Sequence, residues 1–140
     1  MYTSILACID LDDTEASAAV MAAARGQADA GGGKVTAATV LPEFGFSMVS
    51  QFFPEDHEAK MRAASKEQLD AFADANGGAE IGRWVGHGSI HREALRAAKE
   101  VGADVIVVGA GGGDLAEQII GSQASKIVSG ATCSVLVVRS

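Results

Sequence analysis

Glycines at 109, 111, 112 and 113, followed by Gly121-Ser122 at the start of a helical pattern, have the spacing in this chain best suited to chemistry. Glycine lets a backbone approach a ligand without a Cβ, and a helix start offers unpaired N–H groups, so such a loop can hold a phosphate. A second group, Asp10-Leu11-Asp12-Asp13-Thr14, directly follows the apolar run Ser4–Ile9. The D-x-D-x-T spacing fits Asp-nucleophile phosphatases, with Asp10 as nucleophile and Asp12 as acid/base. Such an enzyme needs a lysine and further acidic ligands at strand ends, whereas Lys99 falls inside a helical pattern and Asp114 alone follows the fourth strand. Asp13 or Thr14 capping a helix explains the acidic turn more simply. His87 and His91 are separated by Gly88 and a capping Ser89, so they do not share a helix face, and no third metal ligand accompanies them. Cys8 and Cys133 are too few for a disulfide scaffold and read as small core residues.

The elements that must position these groups follow from apolar periodicity. Ser4–Ile9, Lys34–Leu41, Glu80–Gly86, Val105–Val108 and Val135–Val138 read as strands, the third nearer a sheet edge because polar and apolar residues interleave. Helices are expected after each of the first four. One carries Ala16, Ala19, Val20, Ala23 and Gln27 inward and stops at Gly31-Gly32-Gly33; another spans Glu55–Asn76 with Met61, Leu69, Phe72 and Ala73 inward. A third, capped by Ser89, has the stripe Ala94, Ala97, Ala98 and Val101, and the fourth opens at Gly121-Ser122. The order βαβαβαβαβ with apolar strands predicts a doubly wound, five-stranded parallel sheet, order 3-2-1-4-5, with helices on both faces, a Rossmann-like α/β fold. Ligands in such sheets bind outside the carboxyl ends where the strand order reverses, here between strands one and four, at Asp10 and Gly109.

A chain of 140 residues fits one domain over 1–140. Its net charge of −7, with no basic cluster on any helix, argues against a nucleic-acid partner. No apolar stretch is long enough to cross a bilayer and no leader pattern opens the chain, so a cytoplasmic location is expected. Phe44, Phe46, Phe52 and Phe53 crowd into Glu43–Pro54, which lacks useful periodicity and is a candidate lid or contact surface.

The chain resembles the bacterial universal stress proteins along nearly its whole length. The resemblance rests on Ile5–Asp10 with its acidic turn, Gly88-Ser89, Ala103-Asp104, Gly109 to Ser122 and the closing Cys133–Arg139. It is most similar to the single-domain F and G branch. The family's ATP-binding pattern is G-x2-G-x9-G-[S/T]; this chain has Gly109-x2-Gly112-x8-Gly121-Ser122, one residue shorter, with Ala110-Gly111-Gly112-Gly113 where that branch usually carries a cationic side chain. The resemblance implies a nucleotide site made of Ile9, Asp10, Val40, Gly109, Gly112, Gly121, Ser122, Gln123 and Ala124. The glycines and helix start would hold phosphates, Asp10 the ribose, and Val40 the adenine. It implies ATP or AMP as ligand, with or without Mg2+, little or no turnover, and a stress-response regulatory role with protein partners not specified. It also implies a homodimer through Ser134, Val135, Leu136, Val137 and Val138. That edge is apolar and would otherwise stand unprotected. The competing expectation is a dimeric interaction module that binds no nucleotide.

Overall fold

The computed structural model describes residues 2–42, 57–111 and 120–139. Nine elements alternate along the chain: β1 (Ser4–Cys8), α1 (Thr14–Gly31), β2 (Lys34–Pro42), α2 (His57–Asn76), β3 (Gly82–Gly88), α3 (Ile90–Val101), β4 (Val105–Gly109), α4 (Ser122–Gly130) and β5 (Ser134–Val138). The strands form one parallel sheet in the order β3-β2-β1-β4-β5, as the sequence predicts.

Period-two alternation divides the strand side chains between two cores. Ile5, Ala7, Val105 and Val107 face α1 and α2, where Val20, Met21, Ala24, Leu69, Phe72 and Ala73 are buried. Leu6, Ile106 and Val108 face α3 and α4, meeting Ala94, Ala97, Ala98, Ala124 and Ile127. Small alanines on all four helices allow close approach to the sheet. Cys8 and Cys133 pack, partly buried, against the second core, and desolvation pushes the Cys8 thiol up to about 12.

The inward stripe of α1 differs from the sequence expectation. Ser17, Val20, Met21, Ala24 and Ala28 are buried, rather than Ala16, Ala19 and Ala23. Alanines all round the helix leave its phase ambiguous, and a tertiary hydrogen bond of Ser17 resolves it. The third strand also begins later than Glu80 and runs on to Gly88. Ile81 donates its N–H to Gly78 O (3.2 Å) and belongs to the turn, while pairing with β2 starts at Thr36↔Gly82 and continues to Pro42↔Gly88.

Asp104 locks the amino end of the sheet. Its carboxylate accepts Thr3 N–H (2.9 Å), Thr3 Oγ1–H (3.2 Å) and Ser4 N–H (3.1 Å), tying the start of β1 to the entry of β4. The Thr3 main-chain bond, foremost, holds that carboxyl below its usual range. At the β3 edge, the Arg96 guanidinium lies 5.3 Å from the Trp84 ring centroid and bonds Glu93 and Glu100, while Trp84 Nε1–H donates to Glu100 (2.8 Å). Glu43–Pro54, the candidate lid, lies outside the described residues.

Candidate functional site

Parallel pairing brings the carboxyl ends of β1, β2 and β4 together. Ala7 pairs with Val107 and Cys8 with Ala38; beyond them Ile9 N–H donates to Ala38 O (2.8 Å), and the buried Thr39 hydroxyl donates to Ile9 O (3.0 Å). Continuing those registers sets Asp10 level with Val40 on one side and Ala110 on the other. Ile9 is buried, Val40 half-buried and Asp10 exposed.

The Asp10 turn is built from its own backbone. Ser17 Oγ accepts the Asp10 N–H (2.8 Å) and donates to the Asp10 carbonyl (2.9 Å); Asp13 N–H reaches the same carbonyl (3.0 Å). Asp10 Oδ1 accepts Asp12 N–H (2.9 Å), an Asx turn that aims the carboxylate. Asp13 is the N-cap of α1, its Oδ1 accepting Ala16 N–H (3.2 Å). The structure therefore assigns the two capping candidates: Asp13 caps, and Thr14 is the first helical residue. Ser17 carries no motif, and only its place one turn into the helix after a strand-end aspartate hints at its role.

Across the switch point, β4 ends at Gly109, whose pairing is with Val138. Ala110 N–H donates to Val138 O (2.8 Å), and Gly121 N–H donates to Ala110 O (2.7 Å), so the start of α4 is held beside the end of β4. Gly111 has φ +66°, a left-handed conformation that glycine adopts without strain. Gly112 lies outside the described residues. Gly121 is the N-cap of α4 and supplies no side-chain cap; the first in-register bond is Ser125 N–H to Gly121 O (2.9 Å). The N–H groups of Ser122, Gln123 and Ala124 thus precede the helical ladder, and the positive end of the helix dipole lies at the same place. Of the residues expected in the site, Ile9, Asp10, Val40, Gly109, Gly121, Ser122, Gln123 and Ala124 all stand at this carboxyl end of the sheet. What their arrangement can do is accept an anion on main-chain donors while Asp10 receives hydroxyls.

The Gln123 side chain is turned elsewhere. Its Oε1 accepts the His91 N–H (3.1 Å) and lies 3.2 Å from His91 Nδ1, and Ser89 Oγ lies 3.2 Å from the same ring nitrogen. Ser89 is the N-cap of α3 by position, but its hydroxyl makes no capping bond. His91, which the sequence offers only as a poor metal-ligand candidate, therefore links the starts of two helices.

Lys99 is far from Asp10. It lines a groove of about 540 Å³ at the opposite, amino end of β4, with Leu95, Ala98, Ala103, Ile106 and Cys133. That placement does not serve an Asp10-centred phosphatase, which needs its lysine at the strand carboxyl ends. Among the described residues, no three His, Cys, Asp or Glu side chains are grouped to hold a metal ion.

The profile of the universal stress protein family matches residues 1–139. Universal stress protein G of Shigella flexneri is 39% identical over 59 residues, 42% of this chain and 42% of that protein, and the protein of the same name from Escherichia coli O157:H7 gives the same figures. The chain thus matches less than half the length of these relatives. Among solved structures, hypothetical protein MJ0577 is similar with a TM-score of 0.80 at 21% identity, covering 100% of this chain and 97% of that one. Universal stress protein UspA from Lactobacillus plantarum gives 0.68 at 24% identity, covering 99% and 98%. A universal stress protein solved in complex with cAMP gives 0.64 at 22%, covering 99% and 97%. These likenesses show a shared fold.

Proposed function

The chain belongs to the universal stress protein family, and on that premise we propose that it is a nucleotide-binding regulatory protein with little or no turnover. The observation that carries this reading is the first turn of α4, which no side chain among the described residues caps, opening on the carboxyl side of β4, whose neighbour β1 leads into Asp10. Phosphates would be held by the N–H groups of Ser122, Gln123 and Ala124 and by the glycine backbone at Gly109, Gly112 and Gly121. One oxygen of Asp10 is committed to Asp12 N–H, which leaves the other to accept ribose hydroxyls. Ile9 and Val40 would border the base. The shared-fold protein solved with cAMP adds that nucleotide to ATP and AMP as ligands to be tried.

The loop supplies backbone rather than cationic side chains at 110–113, so Mg2+ accompanying a triphosphate would meet its charge in part. Binding would shift the protein between states read by partner proteins in the cytoplasm. A second copy would pair along β5, where Val135, Leu136, Val137 and Val138 are half-buried and Ser134 exposed on an edge strand.

Isothermal titration calorimetry with ATP, AMP and cAMP, each with and without Mg2+, tests the site. Saturable binding at micromolar to submillimolar concentration, abolished by Asp10→Ala, supports it. Absence of heat and of any melting-temperature shift at millimolar nucleotide overturns it and favours an interaction module without nucleotide. Sedimentation at tens of micromolar tests the pair, and a monomer there contradicts it.

A further inference from the structure

We propose that His91 and Gln123 form a clasp that positions the first turn of α4, and through it sets the affinity of the phosphate cradle. The second half of this statement rests on the nucleotide-binding reading above; the first does not. Helices α3 and α4 lie side by side over the second core, contributing Ala94, Ala97, Ala98, Ala124 and Ile127. The end of α4 meets the middle of α3, where a Cβ added at Gly130 would stand 2.8 Å from Leu95 Cδ1. At their starts the polar contact of Gln123 with His91 fastens them.

The chemistry of the clasp fixes its own orientation. A main-chain N–H is always a donor, so the Gln123 atom 3.1 Å from the His91 nitrogen must be the carbonyl oxygen. The ring nitrogen 3.2 Å from that oxygen can bond to it only when it carries hydrogen, so the ring's share in the clasp requires the Nδ1–H form, with Ser89 Oγ as a second acceptor. Neither Gly121 nor Ser89 caps its helix through its own side chain; Gln123 Oε1 instead takes a first-turn N–H of α3, and this contact joins the two helix starts. Both residues are half-buried, so water competes only in part. Gln123 spends its side chain on α3, and what it can offer an anion is its main-chain N–H.

Three readouts test this in the nucleotide-free protein and then with ATP. Nitrogen-15 spectra of the imidazole are expected to show His91 as the Nδ1–H tautomer. Gln123→Leu, which keeps bulk but removes the acceptor, is expected to speed amide exchange at Ser125 and Lys126 roughly two- to tenfold, the worth of a net hydrogen bond. ATP affinity should weaken by a similar factor. Gln123→Glu restores an acceptor for both donors, so it should recover slow exchange. His91→Ala, which keeps the main-chain donor, should give a smaller acceleration than Gln123→Leu. Exchange in Gln123→Leu equal to that of the parent overturns the clasp, and an Nε2–H tautomer at His91 overturns the ring's share in it. If exchange responds as expected but ATP affinity does not, transmission to the cradle is refuted. If the parent protein binds no ATP, the nucleotide reading fails while exchange and tautomer still decide the clasp.

Discussion

Replacing Gly109 by alanine separates a glycine needed for packing from one needed for a ligand. Gly109 does not have positive φ, and among the described residues a Cβ built there meets one atom within 4 Å, Val20 Cγ2 at 3.6 Å, an ordinary contact. The fold therefore tolerates the methyl group. Loss of unfolded-state freedom offsets the small rearrangement, so stability should change by no more than about 1 kcal/mol, or roughly 4 °C in melting temperature for a chain of this size. If the β4 backbone lies against a bound nucleotide, the same methyl crowds the ligand. A cost of about 1–3 kcal/mol then weakens binding roughly five- to 150-fold. Gly111→Ala is the reciprocal control. Among the described residues the nearest atom to its Cβ is Gly121 Cα at 3.9 Å, but its φ of +66° costs an L-residue roughly 1–2 kcal/mol. That variant should melt about 4–8 °C lower. Differential scanning fluorimetry and calorimetric titration with ATP, run on both variants, give the two numbers. Parent-like affinity in Gly109→Ala refutes close approach of a nucleotide there, and a melting temperature lowered by more than about 10 °C shows that packing, not a ligand, requires the glycine.

Gly33→Ala should be among the most damaging glycine changes. Its Cβ would stand 2.7 Å from Thr3 Cα and O, backbone atoms of the first strand's approach, so a loss of roughly 2–3 kcal/mol is expected in chemical denaturation. Gly26→Ala, inside α1 with nothing within 4 Å of the new Cβ, should instead gain up to about 1 kcal/mol. Asp104 has a lowered folded-state pKa, so the stability it contributes is present above the unfolded value of about 4 and is lost as pH falls through the folded value. Asp104→Asn should therefore melt lower than the parent at pH 7, with the gap closing in melts below about pH 4; a gap independent of pH would contradict the assignment. In a Cys133→Ser background the Cys8 thiol, at about 12, should react with a thiol reagent at pH 8 far more slowly than in denaturant, and equal rates would contradict its desolvation.

The sequence by itself determined the βα alternation, the parallel sheet and its order, because β-branched runs, glycine stops and helical stripes are local signals reinforced by the right-handed crossover rule. It also placed Asp10 just past the first strand and Gly109 at the end of the fourth, two strands that lie side by side. Tertiary structure alone decided which alanines of α1 face inward, because a helix with alanine on every side has no phase of its own until Ser17 bonds Asp10. It alone decided that Glu80-Ile81 belong to a turn, where Gly78 captures an N–H the strand would have used. The partnership of His91 with Gln123 was likewise illegible: the residues are distant in sequence, belong to no shared motif, and meet only because two crossovers lay α3 and α4 on the same face.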